Sequence, residues 1–154
     1  MAYAHRWAFG RNPAYYDYDS LGGDCTNFAS QVLFAGGGVM NPEPVYGWYY
    51  RSANDHAPAW TGVEFLCRFL TGNAGPGPAA EETDISRVMP GDIVQLSFDG
   101  AAFGHSPVIV SVGERPSPEN VLVAAHTFDT DNRPLNTYPY KRARFLHVTH
   151  VNAW

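Results

Sequence analysis

Residues 22–38 read GGDCTNFASQVLFAGGG and contain the element from which the rest of the fold can be worked out. Apolar residues recur at Phe28, Ala29, Val32 and Leu33, which is the spacing of one face of an α-helix. The glycines at 36–38 end the pattern, as a glycine C-cap does. The stretch therefore predicts a helix that begins at Cys25, directly after a glycine turn.

The composition is that of a small domain with a large apolar core. The chain has 154 residues, of which 45% are hydrophobic and 16% are charged. These values predict one domain over residues 1–154 and exclude a disordered chain. No apolar run is long enough to predict a membrane span. The net charge of −5, with Lys141 as the only lysine, argues against nucleic acid as a partner.

The ends of the chain leave the cellular location open. The first residues lack the basic patch, apolar stretch and cleavage site of a secretory signal. The protein therefore either acts in the cytoplasm or is a domain of a longer exported chain, secreted or associated with the cell wall. The ending on Trp154 suits the second interpretation.

Working outward from the helix at Cys25, the pattern changes from helices to strands. We predict a short helix over 2–9, a helix that a capping box at Thr61 and Glu64 opens, and a flexible crossing over 72–84. Four strands are predicted after that, over 93–98, 105–112, 121–128 and 144–151. Helices followed by antiparallel strands indicate an α+β fold, with the N-terminal helices packed on an antiparallel sheet.

Cys25 is the candidate nucleophile. The thiolate is the reactive form, and the pKa of a thiol falls at a helix N-terminus or beside an imidazolium. Asp24 can cap the helix, and the N–H of Cys25 can point at an oxyanion. The alternative is an inert core cysteine, which is our expectation for Cys67. A Cys25–Cys67 disulfide is a further alternative that would remove the nucleophile.

A nucleophilic cysteine needs a base, and His105 is the best placed of the six histidines. It follows Gly104 and opens a predicted strand. If Ser111 lies opposite Asn120, then His126 lies directly opposite His105 and can orient it as the third catalytic member. A slip of one residue would separate the two rings. Asp129 and Asn132 are the alternatives for this role, and His126 can instead be a core residue.

Several motifs carry a family resemblance when they are taken in order. They are Tyr15-Tyr16, Gly22-Gly23-Asp24-Cys25-Thr26-Asn27-Phe28, Trp60-Thr61-Gly62-Val63-Glu64, Pro90-Gly91-Asp92, Gly104-His105-Ser106 and Ala125-His126-Thr127. The chain resembles the putative amidase domain family, which is similar to the NlpC/P60 and CHAP branches of the papain-like cysteine hydrolases.

This resemblance implies a papain-like α+β fold, with Cys25 as nucleophile and His105 as base. It also implies a polar third residue on the next strand, which suits His126, and a tyrosine near the oxyanion, either Tyr16 or Tyr18. NlpC/P60 relatives usually have Ser-Gly after the cysteine, where this chain has Thr26-Asn27.

The expected activity is cysteine-dependent hydrolysis of an amide or peptide bond through a thioester, with peptidoglycan peptides among the candidate substrates. We expect no metal or cofactor, since the chain has no CxxC, HExxH or P-loop motif. We also expect a monomer. Residues 129–132 are expected to form a solvated turn. One alternative is a non-catalytic module that binds peptide or glycan, through the aromatic residues Tyr46, Trp48, Tyr49 and Trp60. The other is a thiol acyltransferase.

Overall fold

A computed structural model describes residues 1–154, all of the chain. The α-helices are α1 (Ala2–Trp7), α2 (Cys25–Gly37), α3 (Pro58–Thr61) and α4 (Val63–Gly72). The β-strands are β1 (Tyr50–Ser52), β2 (Asp55–His56), β3 (Gly77–Thr83), β4 (Ile93–Ser97), β5 (Val108–Ser111), β6 (Leu122–Ala125), β7 (Thr130–Pro134) and β8 (Arg142–Asn152). No helix has both the length and the hydropathy needed to cross a membrane.

Six of the strands form one curled antiparallel sheet in the order β3-β8-β4-β5-β6-β7. Strands β1 and β2 form a separate hairpin. The long strand β8 joins the sheet by pairing with β3 on one side and β4 on the other. The predicted α+β class, with helices first and antiparallel strands afterwards, is confirmed.

Apolar side chains are buried on both faces of this sheet. One cluster joins the helices to the sheet and includes Phe28, Trp60 and Ile93. The next residue of β4, Val94, belongs to a second cluster that contains no α-helical residue. Successive side chains of a strand point to opposite faces, so β4 contributes to both clusters. All five of its residues are buried, which explains its nearly continuous apolar sequence.

Polar side chains of α2 hydrogen-bond to two tryptophans outside the helix and so hold α2 in the helical layer. Asn27 accepts a hydrogen bond from Trp60 Nε1, at 2.9 Å. Ser30 Oγ accepts one from Trp48 Nε1 and donates one to the Trp60 carbonyl, both at 2.9 Å. Each buried indole N–H thus has a partner, as buried polar groups require.

The same contacts correct one alternative drawn from the sequence. Trp48, Tyr49 and Trp60 are buried, and only Tyr46 of the expected aromatic binding face is exposed. These aromatics mainly build the core, so they do not form a shared surface for peptide or glycan.

Three local predictions were wrong. The expected crossing over 72–84 contains strand β3, and the expected turn over 129–132 lies largely in β7. Neither strand carries an apolar alternation, so their pairing with β8 and β6 decides their conformation. The expected capping box is also absent, because Thr61 ends α3 and its Oγ1 contacts His56 Nε2 at 3.3 Å.

Candidate active site

The predicted start of a helix at Cys25 is confirmed, and the thiol lies at the first residue of α2. A tight turn leads into it, with φ of +106° at Gly22 and +112° at Gly23, values that favour glycine. The Cys25 N–H donates no hydrogen bond within the protein, as is usual for the first turn of a helix. The side chain is a free thiol with 7% of the residue exposed.

Asp24 does not cap the helix as expected, because its side chain makes other contacts. One carboxylate oxygen accepts hydrogen bonds from the Tyr18 N–H at 2.9 Å and from Asn27 Nδ2 at 2.8 Å. The other oxygen lies 2.6 Å from Nδ1 of His126. Both side chains of this pair are 1% exposed. Asp24 therefore joins the turn before Cys25 to the end of β6.

His126 is engaged through both ring nitrogens. Its Nε2 lies 2.7 Å from the carbonyl oxygen of Trp7, which can only accept a hydrogen bond. With Nε2 protonated and Nδ1 facing a carboxylate, the contacts fit an imidazolium–carboxylate ion pair. The ring also stacks on Phe28, with the centroids 4.1 Å apart. His126 thus ties α1, α2 and β6 together, and neither nitrogen is free for His105.

The predicted pairing of His105 with His126 is wrong in register. Val108 lies opposite Ala124, and continuing that pairing places Ser106, not His105, opposite His126. His105 itself precedes β5 and forms an isolated bridge with Leu96 of β4. The pairing differs because the connection between β5 and β6 is longer than expected and β5 contains an irregularity after Ile109.

The structure nevertheless brings the segments of Cys25 and His105 together. Thr26, next to Cys25, donates a hydrogen bond to Ser106, next to His105, at 3.2 Å. The backbone amide of Ser106 also acts on the Cys25 thiol and opposes the rise in its pKa that burial causes. No hydrogen bond joins the thiol to the His105 ring in this structure. The start of α2 and the Gly104–Ser106 segment therefore form one site.

Gln95 supports this site and was missed in the sequence. Its Nε2 donates to Ser106 Oγ at 3.1 Å and to the Val63 carbonyl at 2.9 Å. Arg144 donates in turn to the Gln95 Oε1. A glutamine within the apolar run of β4 was the available signal, since a fully buried amide needs partners.

Burial makes the uncharged forms of both reactive groups the stable ones. It raises the pKa of the Cys25 thiol, and the contacts with Ser106 and Thr26 only partly oppose it. Burial, assisted by the positive charge of Arg133, lowers the pKa of His105 from 6.5 to about 4. The expected lowering of the thiol pKa is therefore wrong, because desolvation outweighs the helix N-terminus. At neutral pH the site holds a thiol and a free imidazole base.

The alternatives for the third catalytic member lie away from His105. Both carboxylate oxygens of Asp129 accept hydrogen bonds from Arg11, at 2.9 and 3.0 Å. Asn132 is exposed on β7, with a φ of +53°. Neither side chain makes a hydrogen bond with the His105 ring.

The two tyrosines that the resemblance suggested differ in how freely their hydroxyls can act. The Tyr18 hydroxyl donates to the Ala53 carbonyl at 3.0 Å and lies 3.2 Å from His56 Nδ1. The Tyr16 hydroxyl has no hydrogen bond, and its residue is 44% exposed. Only Tyr16 therefore has a hydroxyl free to meet a ligand.

The family model of the putative amidase domain matches residues 1–149. The chain belongs to the putative amidase domain family. Membership of this family indicates amide hydrolysis. The chain is also similar to the uncharacterized protein YhbB of Bacillus subtilis (strain 168), with 31% identity over 136 residues. That match covers 86% of this chain and 42% of the relative, so the chain spans less than half of that protein's length. No solved structure matches this chain.

The reactive groups of this amidase-family domain are covered. His105 is 5% exposed, about as little as Cys25. Two pockets of about 330 and 460 Å³ lie elsewhere on the domain, and neither residue lines them. Both side chains therefore have little contact with solvent in this structure.

Replacing His126 with alanine tests its structural role. The substitution leaves the buried Asp24 carboxylate with only the more distant Arg11, whose Nε lies 3.6 Å away, as a charged partner. We therefore expect the free energy of unfolding to fall by up to about 3–5 kcal/mol. His5→Ala is the control, because it breaks a pair with Asp131 in which His5 is 40% exposed. That change should cost less than about 1 kcal/mol. Urea unfolding of both variants measures the difference, and equal losses would contradict the assignment.

The pH dependence of stability tests the environment of His105. Its pKa falls from 6.5 to about 4 on folding, so the native state binds fewer protons than the unfolded chain between these pH values. The free energy of unfolding should therefore rise by roughly 3 kcal/mol as the pH rises from about 4 to 6.5. This contribution of His105 is lost again when the pH falls back to about 4. In His105→Gln this contribution disappears. Urea unfolding measures the free energy of both proteins at several pH values. A difference between the two that stays constant from about pH 4 to 7 would rule this out.

The turn before Cys25 can be tested with its two glycines. Each has a positive φ, so alanine at either position should cost about 1–2 kcal/mol or more. A Cβ on Gly23 would also lie 3.0 Å from Thr127 Oγ1, whereas Gly22 has open space around it. We expect Gly23→Ala to lose more stability than Gly22→Ala in urea unfolding, and the excess to vanish in a Thr127→Ala background. An excess that persists there would place its cause elsewhere.

Proposed function

We propose that this domain is a cysteine-dependent hydrolase that cleaves an amide or peptide bond through a thioester. Cys25 is the nucleophile and His105 is the base. The observation that carries the proposal is the contact of the helix start at Cys25 with the segment that carries His105, made through Thr26 and Ser106. A thiol at a helix N-terminus, on an element that contacts the segment carrying an imidazole, is an arrangement suited to acyl transfer.

The first half of the reaction forms the thioester. His105, uncharged at neutral pH, takes the proton of the Cys25 thiol while the sulfur attacks the substrate carbonyl carbon. The carbonyl oxygen becomes an oxyanion, and the free N–H of Cys25 is placed to donate to it. His105 then gives its proton to the leaving amine as the C–N bond breaks. The product is an acyl group bound to sulfur, with the amine released.

The second half regenerates the enzyme with water. His105 takes a proton from a water molecule as its oxygen attacks the thioester carbonyl. The C–S bond breaks, the acid is released, and the proton returns from His105 to the Cys25 sulfur. The site needs no net charge in its resting form, which agrees with the directions of both pKa shifts.

We assign His126 a positioning role in this mechanism. It acts on Cys25 through Asp24, whose carboxylate it pairs with at 2.6 Å. The residue after Asp24 is the nucleophile, so the ion pair sets where the sulfur lies relative to the sheet. His126 therefore belongs to the site without touching the reacting atoms.

We further propose that the domain is a papain-like fold related to the NlpC/P60 and CHAP hydrolases, and that peptidoglycan peptides are substrates. The chain order supports this: the helix that begins with cysteine precedes an antiparallel sheet in which the histidine lies before a strand. The polar residues Thr26 and Asn27 after the cysteine distinguish the domain within that group.

Turnover of defined amides tests the mechanism. Purified domain is incubated with a muropeptide digest and with a panel of peptide amides, and the products are identified by mass spectrometry. We expect Cys25→Ala and His105→Ala to lower kcat/KM by more than about a thousandfold. Cys67→Ala is the matched control and should retain activity, because that thiol is packed in α4.

Two further outcomes separate this reaction from its rivals. Hydroxylamine added during turnover should intercept the thioester as a hydroxamate in the wild type and not in Cys25→Ala. An acyltransferase would give transfer products with amines and little free acid. Unchanged cleavage in Cys25→Ala would overturn the proposal.

A further inference from the structure

Tyr138 has a buried hydroxyl without a partner, next to the proposed base. The residue follows a short 3-10 turn, Leu135–Thr137, after strand β7. It is 8% exposed, and its hydroxyl oxygen has no hydrogen-bond partner in the protein. Leaving a buried hydroxyl unpaired costs free energy, so such a group calls for a partner in some state of the molecule.

The His105 ring packs against the Tyr138 ring. The two ring centroids are 5.5 Å apart, with the planes tilted by 55°. This separation is shorter than the distance between the centroids of a phenol and an imidazole that are joined end to end by a hydrogen bond. The Tyr138 oxygen lies on the rotation axis of its own ring, so rotation of the His105 ring is the movement that would turn a nitrogen toward the hydroxyl.

His105 in turn lacks the group that normally orients a catalytic imidazole. Its ring nitrogens make no hydrogen bond in the resting structure, and its ring lies between aromatic neighbours, with Phe98 at 6.2 Å. In thiol hydrolases a third polar group holds the ring and supports its charged form. His126, Asp129 and Asn132 are all engaged elsewhere or turned to solvent, so the position beside His105 is left to Tyr138.

We propose that the Tyr138 hydroxyl is the positioning group for His105, and that it accepts a hydrogen bond from the imidazolium formed when the Cys25 proton is transferred. This inference rests on the proposed function. One ring nitrogen of His105 faces the thiol and receives its proton, and the N–H on the other nitrogen meets the hydroxyl. The bond is made in the charged state and is absent at rest, which explains why the hydroxyl has no partner in the resting structure.

The surroundings of Tyr138 agree with this role. Burial raises the pKa of its hydroxyl, the charge of Arg133 and a side-chain contact with Arg133 oppose the rise, and the nearness of the Cys25 thiol adds to it. The hydroxyl therefore stays protonated and neutral at working pH. The Arg133 guanidinium lies 3.6 Å from the centroid of the Tyr138 ring and holds the ring in place. Arg133, Cys25 and Tyr138 are the charged or titratable groups that act on this site.

The test is Tyr138→Phe, which removes one oxygen and keeps the ring that packs in the core and under Arg133. Tyr140→Phe is the matched control, since Tyr140 packs against the same cluster and its hydroxyl is not a buried orphan. The readout is the rate at which iodoacetamide alkylates Cys25, with Cys67 as the internal reference, mapped by mass spectrometry. No substrate needs to be known for this measurement.

We expect Tyr138→Phe to slow alkylation of Cys25 by about ten- to a hundredfold, the range for a hydrogen bond to a charged group. Tyr140→Phe should change the rate less than about twofold, and the rate at Cys67 should not change in either variant. The urea midpoint of Tyr138→Phe should be equal to or above that of the wild type, because an unpaired buried group has been removed. Loss of the hydroxyl should also lower the pKa of His105 as followed by NMR titration.

The outcomes separate this inference from the function on which it rests. If His105→Ala leaves alkylation of Cys25 unchanged, the proposed function fails and this inference fails with it. If His105→Ala slows alkylation and Tyr138→Phe does not, the function stands and Tyr138 has no positioning role; a buried water on the hydroxyl predicts that result. A Tyr138→Phe protein that is less stable, or slower at Cys67 as well, would assign the hydroxyl to packing.

Discussion

The buried ion pair between Asp24 and His126 is the contact on which the arrangement of the site depends. It joins the residue before the nucleophile to the end of β6, and the Trp7 carbonyl adds α1 to the same contact. Both side chains are 1% exposed, so each group depends strongly on the other, and Arg11, with Nε 3.6 Å from the Asp24 carboxylate, is the only further charged partner of the pair. The pair therefore allows a single position for the start of α2 relative to the sheet. Positioning of the thiol and stability of the fold have the same physical origin in this domain.

Burial also decides the chemistry of the reactive groups. Removing water disfavours the charged form of any group, so it raises the pKa of a thiol and lowers that of an imidazole. Both effects act here, on Cys25 and on His105, and together they keep the two uncharged at neutral pH. In the proposed mechanism, ionisation is then deferred to the moment of attack, when the proton moves from sulfur to nitrogen. In that mechanism the same dry surroundings would strengthen every hydrogen bond donated to the oxyanion.

Most polar residues of the segment after Cys25 serve the scaffold. The Asn27 side-chain amide donates to the Tyr16 carbonyl and to the Asp24 carboxylate, and its oxygen accepts from the Trp60 indole. Both of its N–H donors and its oxygen thus have partners. Thr26 differs, because its hydroxyl reaches across to Ser106 and connects the two halves of the site. These contacts give a reason for a threonine and an asparagine directly after the cysteine. A glycine at position 27 would lack the amide that meets Trp60.

The sequence by itself determined the helix that begins at Cys25, the α+β class and the strand that follows His105, because these depend on local periodicity and glycine stops. The choice of Cys25 and His105 as the reactive residues rests on residue chemistry and stays a prediction. The sequence could not determine strand β3 or β7, whose polar sequences become strands only through their neighbours. It also could not determine the partner of His105, since a shift of one residue between β5 and β6 places Ser106 opposite His126. Nor could it show the direction of the thiol pKa, because only tertiary structure decides how much water reaches the sulfur. The start of a helix and the position of a strand depend on residues that are neighbours in the sequence. Register and burial depend on segments that meet only in the folded chain.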